Sequence, residues 1–104
     1  MSIRLNGLIA AAYTPMRDDE SVNFDMIGPL TERLLADGVA GLYVCGSTGE
    51  GVSLRTAERE QVAAAFVEAG AGRVPSVVQV GHNSLHEARH LARHAQDIGA
   101  TAIS

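Results

Sequence analysis

Apolar positions along the chain fall into two alternating patterns: short unbroken runs, and longer segments with helical spacing. Leu8-Ile9-Ala10-Ala11-Ala12-Tyr13 is an uninterrupted apolar run closed by Thr14-Pro15, which suits a strand buried on both faces. A polar loop, Arg17 to Ser21, follows. Phe24, Ile27, Leu30, Leu34 and Leu35 then recur at helical spacing over Phe24 to Ala36, and Asp37-Gly38 supplies glycine where a left-handed cap is wanted. Pro29 either kinks this helix or occupies the first turn of one starting near Gly28.

Gly41-Leu42-Tyr43-Val44-Cys45 is the second expected strand, again apolar on both faces. After a glycine-rich turn, Thr56 can cap a helix from Ala57 to Ala69, with Glu58 and Glu60 near its positive end and Gly70 and Gly72 stopping it. Pro75 to Val80 reads as a third strand. Ser84-Leu85-His86-Glu87 has the spacing of a capping box, so a third helix runs from Leu85 to Ile98, closed by Gly99. Ala100 to Ser104 begins a fourth strand, inside which the sequence stops.

The resulting order, β-α-β-α-β-α-β, implies an α/β fold with a parallel sheet and right-handed crossovers. Two architectures satisfy it: a small open doubly wound sheet, and the N-terminal half of a (β/α)8 TIM barrel, which needs about 250 residues. The stop inside a strand favours the half-barrel. Residues 1–104 are then expected to form one partial barrel, truncated in its fourth strand, with no linker or second domain.

Composition narrows the function classes. Hydrophobic residues make up 46% of the 104, enough for a core. The formal charge is −4 and the arginines are spread along the chain, so nucleic acid is not an expected partner. No apolar run approaches the ~20 residues of a membrane span. The N-terminus carries Arg4 but no long apolar segment of a secretory leader. The single cysteine, Cys45, excludes an internal disulfide. Together these features predict a soluble cytoplasmic protein.

The segment most suited to chemistry is Gly46-Ser47-Thr48-Gly49-Glu50-Gly51. It follows a parallel strand, where α/β proteins build their ligand-binding rim. Glycines let a ligand approach the backbone and free N–H groups for an anion; Ser47 and Thr48 add hydroxyl donors. A small carboxylate would suit such a turn. Phosphate lacks the lysine that a GxxxxGK[ST] loop requires, because all eight basic residues here are arginine. A plain connecting turn rich in small residues is the competing reading.

Several segments together carry a family resemblance. Leu8 to Met16, the approach Asp37-Gly38-Val39-Ala40-Gly41-Leu42, the hexamer Gly46 to Gly51, Thr56-Ala57-Glu58-Arg59, and Val80-Gly81-His82-Asn83-Ser84 resemble the dihydrodipicolinate synthase / N-acetylneuraminate lyase family across essentially the whole chain. The resemblance implies a (β/α)8 barrel that binds a pyruvate-type 2-oxo acid as a Schiff base. It gives Ser47 and Thr48 the carboxylate of that substrate, and gives Ser47 a place in a hydroxyl relay with a tyrosine. The iminium acts as electron sink, so neither metal nor organic cofactor is implied. Homo-oligomers are common in the family. Its lysine and relay tyrosine belong to later strands; Tyr13 and Tyr43 do not match the relay position, and this sequence has no lysine. The chain by itself is therefore expected to lack Schiff-base catalysis. Ser47, and Gly51 after Glu50, tilt the reading towards sialate-lyase-like or sugar-acid chemistry.

Other residues admit two readings each. His82, His86, His90 and His94 are spaced four apart, a spacing at which pairs can share a metal. The apolar stripe of the third helix is Leu85, Ala88, Leu91, Ala92 and Ala95, which places His86, His90 and His94 on a solvated face beside Asp97. His82 sits on the rim, either touching substrate or capping the loop. Cys45 reads as a small buried hydrophobe. Glu50 is either a rim acid or base, or a partner for an arginine or the local backbone. Met16 and Met26 read as packing residues. Three accounts of the chain follow: part of a longer lyase, a half-barrel that assembles with itself or a partner, or a carboxylate-binding module without turnover.

Overall fold

The computed structural model describes residues 5–104; Arg4 and the N-terminal amine lie outside them. Strands β1 (Ile9–Ala11), β2 (Gly41–Val44), β3 (Ser76–Val78) and β4 (Ala102–Ile103) alternate with helices α1 (Ile27–Ala36), α2 (Thr56–Gly70) and α3 (Leu85–Asp97). All strand pairs are parallel, and the sheet order is β1-β2-β3-β4. Right-handed crossovers that always step the same way leave every connecting helix on the same face. A doubly wound sheet would reverse its strand order at a switch point. The order has no reversal, so of the two architectures left open the sheet takes the barrel-type succession.

The core lies between sheet and helices. Leu42 and Val44 of β2 are fully buried against Ile27 of α1, Val62 and Phe66 of α2, and Leu91 and Ala95 of α3. The opposite face of the sheet has no second layer among the described residues. This corrects the expectation that the run Leu8 to Tyr13 is buried on both faces: Ala12 is buried, but Ala11 is exposed, Leu8 is 79% exposed and Tyr13 55%.

Local chemistry explains most element ends. A 3₁₀ turn, Phe24–Met26, leads into α1. Pro29 is the third residue of that helix, within the first turn, where its missing N–H costs no helical bond. Gly38 has φ +88°, and its N–H donates to the Leu35 carbonyl at 3.0 Å.

Thr56 was expected to cap α2 but is its first residue; Arg55 is the N-cap. Glu58 Oε1 accepts the Arg55 N–H at 2.9 Å. An arginine side chain offers no acceptor in return, so the cap is one-sided. At α3, Ser84 Oγ accepts the Glu87 N–H at 3.3 Å, while the Ser84 N–H goes to His82 Nδ1 at 2.9 Å rather than to Glu87. Among the described residues no helix is long and apolar enough to cross a membrane.

Candidate functional site

The β2–α2 connection is built around backbone that departs from ordinary turn geometry. Cys45 and Glu50 both have positive φ, +60° and +56°. Within that frame the Gly51 N–H donates to the Gly46 carbonyl and the Glu50 N–H to the Ser47 carbonyl, each at 3.0 Å. Ser47 to Glu50 is thus a turn nested inside a closed loop. Thr14, just past β1 and 3% exposed, anchors it by donating its hydroxyl to the Gly49 carbonyl at 2.6 Å. A Cβ at Gly49 would come within 3.0 Å of the Ala12 carbonyl oxygen, so the loop rests directly on the end of β1.

This frame presents Ser47 and Thr48 at the C-terminal rim of the sheet. Both are exposed, and neither hydroxyl takes part in a hydrogen bond among the described residues. Two free hydroxyls on an anchored turn can donate to a carboxylate with little ordering cost. A cleft of about 270 Å³ lies between the end of this loop and the β3–α3 loop, lined by residues including Gly51, Leu54, Arg59, Gln79 and His82. Ser47 and Thr48 do not line it; they stand on the open rim instead.

Cys45 is 2% exposed, as expected of a small buried hydrophobe. Burial pushes its thiol up from the ordinary 9.0 to about 11, against a smaller downward pull from the Arg59 charge. Such a thiol is not a nucleophile near neutral pH. Glu50 is exposed, and no ion pair among the described residues includes it; its backbone carbonyl accepts the Ser53 N–H at 2.9 Å. His82 takes the loop-capping role through its bond from Ser84. Met26 is 47% exposed and Met16 36%, so neither is a core packing residue.

The histidine series largely keeps its solvated face: His86 and His90 are exposed and His94 is half-buried. Beyond that expectation, His90 Nε2 lies 2.8 Å from Glu60 Oε1 and His94 Nε2 lies 3.9 Å from Glu60 Oε2. Two of the three histidines therefore converge on one carboxylate of α2. A helical wheel of α3 alone cannot show the neighbouring helix. Among the described residues no group of three His, Cys, Asp or Glu side chains could hold a metal ion.

Arg59 is the residue sequence reasoning missed. It is 3% exposed and donates Nη1 to the Gly81 carbonyl at 2.8 Å and Nη2 to the Gln79 carbonyl at 2.7 Å. The guanidinium ties the start of α2 to the end of β3, bracing the rim from behind. The signal was present: Arg59 falls on the stripe of Val62, Ala63 and Phe66, all buried, and an arginine on the apolar face of a helix is an anomaly to be explained.

The strand succession agrees with what comparison with known proteins finds. The profile of the dihydrodipicolinate synthetase family matches residues 4–104. The chain belongs to that family. It is 43% identical over 103 residues to N-acetylneuraminate lyase of Homo sapiens, covering 97% of this chain and 32% of the relative. Against 4-hydroxy-tetrahydrodipicolinate synthase of Laribacter hongkongensis (strain HLHK9) it is 37% identical over 99 residues, covering 95% and 34%.

Among solved structures, N-acetylneuraminate lyase (sialic acid aldolase) from Aliivibrio salmonicida superposes with a TM-score of 0.94 at 37% identity, over 98% of this chain and 34% of that one. Chloride-inhibited dihydrodipicolinate synthase from Acinetobacter baumannii, complexed with pyruvate, gives 0.91 at 32% identity, over 96% and 34%. The chain spans about a third of the length of the curated relatives it matches. Against these family structures the four-stranded arc is a partial (β/α)8 barrel.

Proposed function

We propose that this chain carries the carboxylate-binding rim of a Schiff-base lyase or aldolase acting on a pyruvate-type 2-oxo acid. The observation that carries the reading is the anchored turn with Ser47 and Thr48 exposed and unbonded at the C-terminal rim, in a family where structures hold pyruvate. In this reading both hydroxyls donate to the substrate carboxylate. Ser47 also passes a proton along a hydroxyl relay. An amine condenses with the keto carbon, releasing water, and the resulting iminium takes up the electron pair of the broken carbon–carbon bond as an enamine. The amine belongs to a lysine outside this sequence, which contains none.

Greater identity to N-acetylneuraminate lyase than to the synthase supports a sugar-acid substrate. Cytoplasmic location is supported by the single cysteine, which is buried and free. A homo-oligomer is part of this reading on the strength of the family resemblance alone. Binding without turnover is the alternative for the chain alone, and the lack of lysine favours it.

The test is titration of the chain with pyruvate, followed by amide ¹⁵N shifts. Saturable shifts confined to residues 46–51, weakened about tenfold or more by Ser47→Ala or Thr48→Val with the unfolding midpoint unchanged, are expected. Wild-type spectra indifferent to pyruvate would remove the reading.

A further inference from the structure

Tyr43 occupies the face of the sheet opposite the helices. Its row runs Ala11–Tyr43–Val77–Ala102 across all strands, while its neighbours Leu42 and Val44 point into the helical core. From that uncovered face the ring leans towards the rim. A Cβ at Gly46 would overlap Tyr43 Cε1 and fall 2.9 Å from Cδ1, so the Cδ1–Cε1 edge of the ring abuts Gly46 and leaves no room for a side chain there unless the ring moves. The phenol hydroxyl then donates to Ser104 Oγ at 3.1 Å, 61 residues away. The side chain thereby bridges from β2 over β3 to the end of β4. Val77, its register partner on the uncovered face, is only 8% exposed.

Gly46 is the residue from which the turn springs. Its carbonyl closes the loop by accepting the Gly51 N–H, and Ser47 and Thr48 follow directly. We infer that Tyr43 is a positioning residue for the 2-oxo-acid carboxylate: its ring seats Gly46, so that both rim hydroxyls face one ligand, and the bond to Ser104 is secondary to the ring itself. This rests on the reading of Ser47 and Thr48 as the carboxylate grip. It assigns Tyr43 a role separate from the proton relay, and it explains why a bulky aromatic and a glycine must occur three residues apart.

Two readouts on the full chain separate this inference from the reading beneath it. The first is hydrogen exchange at the Gly51 amide, which reports the turn without any ligand. Tyr43→Ala should speed that exchange about tenfold while amides of α1 keep their protection, and Tyr43→Phe, which keeps the ring, should stay close to wild type. In the cycle with Gly46→Ala, the double variant should be less perturbed than the sum of the singles, because removing the ring removes the clash.

The second readout is pyruvate affinity: about tenfold weaker in Tyr43→Ala, and restored to within about threefold by the phenylalanine variant. Unchanged Gly51 exchange and affinity in Tyr43→Ala, or strict additivity of the cycle, would overturn the inference. A wild type that ignores pyruvate would remove the carboxylate reading, while the exchange data still decide whether Tyr43 seats the turn.

Discussion

Replacing Arg59 by methionine tests whether a buried cation holds the rim in place. The guanidinium is 3% exposed and donates to the Gly81 and Gln79 carbonyls at 2.8 and 2.7 Å, with a longer contact of 3.3 Å to Gln79 Oε1. A hydrogen bond from a charged donor contributes about 1.5–3 kcal/mol, so losing the two short ones removes about 3–6 kcal/mol. Opposing this is relief from burying the cation: Nε has no hydrogen-bond partner. Methionine removes that penalty of about 1–3 kcal/mol and keeps most of the apolar stem.

The net expectation for Arg59→Met is destabilisation by about 2–3 kcal/mol, a large part of the stability of a small fold. With a urea slope of about 1–2 kcal/mol per molar, the midpoint should fall by about 1–3 M, read by circular dichroism at equilibrium. Arg59→Lys, which keeps the charge but reaches fewer carbonyls, should fall between the two. A midpoint shift under about 0.5 M for the methionine variant with an unchanged slope would refute the reasoning. It would mean that the desolvation of the guanidinium cancels its hydrogen bonds.

Two further outcomes follow from single residues. Because the Cys45 thiol is raised from 9.0 to about 11, the unfolded chain ionises first in that window and binds fewer protons than the native state. The Cys45 contribution to stability should therefore be constant below pH 9 and fall by about 2–3 kcal/mol as pH rises to 11. The difference between the pH–stability curves of wild type and Cys45→Ala isolates this slope, and parallel curves would contradict it. Gly99, with φ +84° and open space where a Cβ would go, is held by conformation rather than by crowding. Gly99→Ala should cost about 1–2 kcal/mol, lowering the thermal midpoint by about 5–10 °C, and Gly99→Asn less. Equal losses for both variants would point to crowding instead.

The succession of elements was legible in the sequence because the signals are local. Apolar runs between Gly, Pro and Asp punctuation marked each strand, and Gly38 and Gly99 marked helix ends through their own positive φ. Pro29 lay in the first turn, one of its two allowed places. The hexamer Gly46 to Gly51 was legible for the same reason, since close backbone approach demands small residues wherever the chain later folds. Where two local solutions competed, as at the α2 cap, the sequence favoured Thr56 and the chain used Arg55, because Glu58 reached back to the preceding N–H.

What the tertiary structure alone decided depends on which segments meet. Strand order separated a barrel arc from a doubly wound sheet, although both share the same element string. The open inner face, with Leu8 and Tyr13 exposed, depends on how many layers the sheet has, and apolar runs do not encode that number. Glu60 met His90 and His94 in an interhelical contact that leaves His90 exposed. Arg59 found its carbonyls on another strand, and Tyr43 found Ser104 across the sheet. These contacts join residues 20 or more positions apart. Their geometry comes from crossover handedness and packing, to which no window along the chain gives access.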